Sequence, residues 1–172
     1  MKPMIIYFIF VFCISVIAQN KNADVANNYL LNAINLKSYN MFSKYQECIN
    51  KFDQNIKKEY FDDPRVLNNL IKYLEVISKS KYPYNSLKSF LIIEKYVVSN
   101  AEYSEILSEM GSDYFVENFK MAFKILNNFS DSDIKEIAKI VSFKEVNIAK
   151  MKKMYGEIKM TIKQKRFIEA LD

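Results

Sequence analysis

Residues 87–98 read Leu-Lys-Ser-Phe-Leu-Ile-Ile-Glu-Lys-Tyr-Val-Val, and apolar side chains in this segment fall on almost every side of a helix. A helix that is apolar all round is normally buried, because it has no face to give to water. We therefore expect this segment to lie at the centre of the core of a helical protein.

On both sides of this segment, apolar residues recur at three- or four-residue steps, the spacing of amphipathic helices. No stretch alternates with period two for long enough to indicate a strand. Helices are predicted at about 24–36, 40–58, 64–79, 85–98, 100–110, 113–127, 131–141 and 144–170, the last with a potential break at Gly156.

The connections between the predicted helices are only a few residues long, which favours antiparallel neighbours. The sequence thus predicts an all-α fold, a compact irregular helical bundle of about seven or eight helices in antiparallel hairpins. A short α-hairpin repeat array is the alternative, but the helix pairs lack the spaced small residues of tetratricopeptide repeats.

Side-chain oxygens before the apolar runs predict where helices begin. Asp63-Pro64 places an acceptor at an N-cap and a fixed φ at the first helical position. Ser99–Glu102 and Ser142–Glu145 have the pattern of capping boxes, and Ser130–Asp133 is a shorter version.

Gly and Pro predict further boundaries. Gly111 followed by Ser112 indicates one helix ending and the next beginning. Pro83 predicts a turn over 82–86, because proline disfavours helical backbone at the preceding residue.

The composition excludes several classes of function. The 172 residues contain no His and two Gly, so imidazole bases, Ser-His pairs and glycine-rich phosphate loops are absent from the sequence. Lys outnumbers Arg 23 to 2, whereas nucleic-acid recognition favours the bidentate guanidinium. We expect no enzymatic activity, no cofactor, no metal and no nucleic-acid partner.

Residues 1–18 have the layout of a signal peptide. Lys2 precedes the apolar run 5–17, and Ala18 supplies a small residue before a polar segment. The run is shorter than the roughly 20 residues of a membrane-spanning helix. We expect cleavage before Gln19, a periplasmic or secreted location, and a single helical domain over 19–172.

Two residues of the mature chain raise the question of covalent modification. Cys48 lies on the apolar side of its helix, so we expect an inert buried thiol, with an intermolecular disulfide as the alternative. Asn128-Phe129-Ser130 is a glycosylation sequon, relevant only if the source is eukaryotic.

Charge is unevenly placed: residues 101–133 carry a net charge of −5 and residues 134–172 a net charge of +5. Acidic residues recur between 102 and 117 at steps of three or four. They would form one candidate acidic face if the helices on either side of Gly111 were continuous. We interpret it as a solvated surface, with a divalent-cation site as the alternative. The candidate acidic face comprises Glu102, Glu105, Glu109, Asp113 and Glu117.

The lysines that follow suggest a basic interaction face for an anionic membrane surface or an acidic partner. The other interpretations are an ordinary exposed face and docking onto the acidic helices of the same chain. The candidate basic face comprises Lys135, Lys139, Lys150, Lys153, Lys163 and Arg166.

Three functions remain open. The first is a non-enzymatic binding or interaction module for an unknown protein partner. The second is a carrier of a hydrophobic ligand, for which aromatic side chains would line a pocket. The third is a hydrolase that uses carboxylates from Asp53, Glu59, Asp62 and Asp63. The aromatic residues considered for the pocket are Tyr29, Tyr45, Phe52, Phe90, Tyr96, Phe115, Phe119 and Phe123.

Two resemblances concern the C-terminal third. Tyr114–Glu117, Phe129–Ile137 and Met154–Ile158 are similar to the exported bacterial helical family called domain of unknown function 2059, in which a Phe-Ser/Thr-acidic cap opens a helix. That resemblance implies an exported helical protein and assigns no functional residue, since the family has no established activity. Asn128–Ala138 is similar to helix-opening segments of nematode fatty-acid and retinol-binding proteins, which implies a lipid carrier.

Overall fold

The computed structural model describes residues 22–156 and 158–171, and every regular element in these ranges is helical. The prediction of an all-α fold is confirmed. The expected signal peptide and its cleavage point before Gln19 lie outside the described residues. None of the helices in the described ranges combines the length and the apolar character needed to cross a bilayer.

Ten α-helices and one 3₁₀ turn make up the regular structure of the described ranges. Most connections are a few residues long, as the sequence predicted. The helices are α1 22–35, α2 Tyr39–Ile49, α3 Gln54–Phe61, α4 Pro64–Ser78, α5 Pro83–Val97, α6 Ala101–Glu117, α7 Phe119–Ile125, α8 Asp131–Val141, α9 Glu145–Tyr155 and α10 Ile162–Glu169, with the 3₁₀ turn at Leu126–Asn128.

The chain divides into two compact units whose boundary in the sequence lies between Tyr73 and Leu74, within α4. The N-terminal unit has an aromatic core. Phe42 stacks on Tyr73 with ring centroids 4.2 Å apart, and Phe52 meets Tyr60 edge to face at 5.4 Å. These ring contacts join α2 and the segment after it to α3 and to the N-terminal part of α4.

The C-terminal unit is built around α5, as residues 87–98 predicted. Leu87, Phe90, Ile93 and Val97 are almost completely buried, and α5 contacts α6, α7 and α8. Helix α8 also contacts α6 and α10, which are not its neighbours in the sequence. In a repeat array each helix pair touches only the adjacent pairs. Here α5 contacts α8 and α6 contacts α9, so either way of pairing successive helices leaves one contact that skips a pair.

Gly111 does not end a helix, contrary to the prediction. It is buried in the middle of α6, and an ideal Cβ at this position would overlap Cγ2 of Ile140 on α8. The missing side chain lets α8 approach α6 closely. The helix ends instead at Glu117, and the side-chain amide of the next residue, Asn118, donates a 3.0 Å hydrogen bond to the Tyr114 carbonyl.

The predicted helix over 40–58 is two helices. Asp53 caps α3, because its Oδ1 accepts hydrogen bonds from the amides of Asn55 and Ile56, both at 2.9 Å. This cap was not recognised in the sequence, where the apolar spacing continues through it. The potential break at Gly156 does occur, since α9 ends at Tyr155.

The predicted caps divide into correct and wrong ones. Asp63 accepts the Arg65 amide at 2.9 Å and Ser130 accepts the Asp133 amide at 3.1 Å, as predicted. The two predicted capping boxes are wrong, because Asn100 caps α6 in place of Ser99, and α9 begins after Lys144 without a side-chain cap. Pro83 opens α5 directly, so the turn predicted over 82–86 is mostly helix.

We predict that Gly111→Ala destabilises the protein by about 1–3 kcal/mol, because the added methyl group must displace Ile140. Urea unfolding monitored by circular dichroism measures the effect. Combining it with Ile140→Leu, which removes the overlapping methyl, should cost less than the sum of the two single changes.

Gly156→Ala is the matched control, because its nearest Cβ contacts are two carbonyl oxygens at 3.9 Å and its backbone is helical at φ −54°. It should leave stability unchanged or raise it by up to about 1 kcal/mol. Equal destabilisation by both alanines would contradict the assigned role of Gly111.

Candidate functional site

The acidic face lies along α6. Because α6 runs unbroken from Ala101 to Glu117, the five predicted carboxylates are carried by one helix at three- or four-residue steps. Glu102, Glu105 and Glu117 are exposed, and Asp113 is half-buried. In the described residues, no three His, Cys, Asp or Glu side chains form a group suited to a metal ion.

Two of these carboxylates hold the start of α9 against α6. Lys144 Nζ lies 2.8 Å from both Glu109 Oε1 and Asp113 Oδ2. The buried Asn147 amide donates to Ser112 Oγ at 3.0 Å and to Asp113 Oδ1 at 2.9 Å. The acidic face is therefore partly neutralised by a basic residue of its own chain, through a junction formed by Lys144, Asn147 and Asp113.

The junction shifts the acidity of its charged groups. The hydrogen bond from Lys144, assisted by that from Asn147, lowers the pKa of Asp113 against the opposing effect of burial. The same contacts with Asp113 and Glu109 raise the pKa of Lys144. Both charged forms are thus favoured by folding.

The six residues of the predicted basic face are carried by three helices, α8, α9 and α10, and three of the six make contacts within the chain. Lys139 Nζ lies 3.2 Å from Glu94 Oε1, and Arg166 pairs with Asp131. Lys163 donates to the carbonyl oxygens of Asn127 and Phe129 at 3.0 and 2.6 Å. The polar contacts of these three side chains connect elements within the C-terminal unit.

The other three residues of the basic face, Lys135, Lys150 and Lys153, are exposed and make no ion pair with an acidic residue in the described ranges. Lys150 and Lys153 lie together on α9. Lys150 also acts on Asp113, because its positive charge contributes to the lowered pKa of that carboxyl. Both ammonium groups are nevertheless accessible to a partner, since both side chains are exposed.

Helix α9 and the residues just before it also carry exposed apolar side chains, a feature that the charge pattern did not single out. Val146 is 60% exposed, and Phe143 and Met154, just before and near the end of α9, are 46% and 45% exposed. Met154 also lines a shallow cavity of about 270 Å³ together with Met121 and Phe119. The surface at α9 is therefore both basic and apolar.

Several of the aromatic residues proposed to line a ligand pocket pack against other aromatic rings. Phe115 stacks on Phe167 with centroids 4.8 Å apart, and Phe119 stacks on Phe123 at 5.0 Å. Phe90 lies 5.7 Å from the Tyr114 ring. These rings fill the core of the C-terminal unit.

The four carboxylates considered for hydrolysis lie around α3. Asp53 and Asp63 act as helix caps, and Asp63 also pairs with Arg65 at 2.7 Å. Glu59 and Asp62 are exposed. Cys48, expected to be a buried thiol, is half-buried on α2.

Comparison with known proteins identified no relative of this chain. No family model, curated protein or solved structure matches the chain. The resemblances to the domain of unknown function 2059 and to the nematode carriers therefore stay predictions.

The ion pair at Asp113 predicts a pH dependence. Because folding lowers the pKa of Asp113, its stabilising contribution is complete above the unfolded pKa and is lost as the pH falls through the folded one. We expect Lys144→Met to lose less stability than the wild type when urea unfolding is repeated from about pH 6 down to about pH 3.

Lys135→Met is the control, since it removes an exposed lysine that makes no ion pair in the described ranges. It should keep the wild-type dependence on pH. If Lys144→Met lost as much stability as the wild type over this pH range, Lys144 would have no influence on the titration of Asp113.

Proposed function

We propose that this protein is an exported, non-enzymatic binding module that uses the outer face of α9 to hold an anionic partner. The outer face is defined as Val146, Ala149, Lys150 and Lys153, all of them exposed. The observation that carries the proposal is the exposure of Lys150 and Lys153, neither of which makes an ion pair with an acidic residue in the described ranges.

The charge of the whole chain supports this choice of partner. The formal net charge of +5 falls to +4 when residues 1–18, with Lys2, are removed. This positive charge attracts anions over a distance, and an exposed lysine pair directs that attraction to one surface. Such an attraction is screened by salt, because the Debye length falls to about 8 Å at physiological ionic strength. Association should therefore weaken as salt is added.

The export part of the proposal is based on residues 1–18, with their lysine, apolar run and small residue before Gln19. The non-enzymatic part is supported by the absence of His from the sequence and by the use of Asp53 and Asp63 as helix caps.

Retention on a sulfonate cation-exchange column tests the role of the lysines. We expect Lys150→Gln/Lys153→Gln to elute at clearly lower salt than Lys51→Gln/Lys58→Gln, which removes the same charge from exposed positions of the N-terminal unit. Equal shifts for the two double variants would mean that α9 is not the preferred anion-binding surface.

A carrier of a hydrophobic ligand is the alternative function, favoured by the apolar cavity beside Phe119, Met121 and Met154. At about 270 Å³ this cavity lies just below the range of roughly 300–1,000 Å³ of most ligand pockets. The aromatic rings of the core pack against one another and fill the space between them, which supports the binding module instead.

Native mass spectrometry of the purified mature chain separates the two functions. We expect the mass of the bare polypeptide beginning at Gln19, because the rings of Phe115, Phe119 and Phe123 already fill one another's space. A lipid retained at one equivalent per chain would support the carrier and reject the binding module.

A further inference from the structure

We infer that the partner of the outer face of α9 is a membrane surface with anionic lipid headgroups, on which α9 lies parallel to the plane of the bilayer. The inference rests on the proposed function and names the chemical class of its partner. It is carried by the combination of lysines and exposed apolar side chains on one side of one helix.

The orientation of α9 is fixed by its buried side. Asn147 is 3% exposed and hydrogen-bonds Ser112 and Asp113 on α6, and Met151, one turn later, is fully buried. At about 100° per residue, Val146, Ala149 and Lys153 project at least about 100° away from both of these residues. Lys150 lies about 60° from Asn147, at the edge of the outer face nearest Asp113. The face in question therefore points out of the C-terminal unit.

The apolar residues of this surface are large enough to enter the boundary between headgroups and acyl chains. Val146 lies on the outer face, and Phe143 and Met154 flank it, each between 45% and 60% exposed. Met121, 53% exposed, borders the same cavity as Met154 and extends the apolar surface to α7. Interfacial helices bury such side chains while nearby lysines bind anionic headgroups.

The mixture of side chains on this surface favours lipid over an acidic protein. Both cations on the outer face are lysines, as are 23 of the 25 basic residues of the chain, and large exposed apolar side chains accompany them. Lysine is a compact point charge that suits the diffuse negative potential of a lipid surface. The neighbouring cavity is shallow, so it offers no deep pocket for an anchoring side chain of a protein partner.

Vesicle flotation of the full mature chain tests the inference. Vesicles of phosphatidylcholine containing about one third phosphatidylglycerol should bind the protein, and vesicles of phosphatidylcholine alone should bind it far less. Each lysine at an anionic surface contributes roughly a fivefold factor, so Lys150→Gln/Lys153→Gln should lower the partition coefficient roughly 25-fold. Lys51→Gln/Lys58→Gln is the charge-matched control.

The apolar contribution has its own pair of variants. Val146→Ser/Met154→Ser should lower binding to the anionic vesicles at least about tenfold, because these side chains lose their contact with the acyl region. Leu36→Ser/Val98→Ser is the control, since Val98 is 59% exposed, against 60% for Val146, and Leu36 is 64% exposed. Circular dichroism confirms that each variant keeps its helical content.

Failure of this inference is distinguishable from failure of the proposed function. If the anionic vesicles do not bind, or if the control variants lose as much binding as the α9 variants, the membrane assignment is overturned. The proposed function still stands in that case if retention on the sulfonate column depends on Lys150 and Lys153. Binding of polyglutamate through these lysines, with no binding to vesicles, would assign an acidic protein partner instead.

Discussion

The C-terminal unit depends on the close approach of α8 to α6 at Gly111. At this position only a hydrogen atom separates the α6 backbone from the Ile140 side chain, and the Phe90 ring of α5 is next to the same point. Three helices are thus packed around one residue without a side chain. The next two residues along α6, Ser112 and Asp113, hold α9, so the position of the candidate surface follows from the same stretch of helix.

The sequence predicted the helical class, the burial of α5 and the caps at Asp63 and Ser130, because each of these depends on residues close together in the chain. It failed at Gly111. Glycine is common just after a helix and also where two helices approach closely, and the local sequence is the same in both cases. Only the position of Ile140, 29 residues later, decides between them.

The candidate surface was predicted in part for the same reason. Charge counting found the acidic face and the lysines, but it gave no means of telling which lysines pair within the chain. Lys139 is bound to Glu94, and Lys144 to Asp113, across separations of 45 and 31 residues. When the lysines that pair within the chain are set aside, Lys150 and Lys153 remain as exposed residues on α9. The exposed apolar residue Val146 lies on the same helix and does not enter a count of charges.

The way in which α10 is fixed has a consequence for how this protein tolerates change during evolution. Gln164 donates to the Phe123 carbonyl at 2.9 Å, and Lys163 donates to the carbonyls of Asn127 and Phe129. Every residue type supplies a backbone carbonyl. A homologue that replaces Asn127 therefore keeps the Lys163 contact there and loses the hydrogen bond that Thr161 Oγ1 donates to the Asn127 side chain.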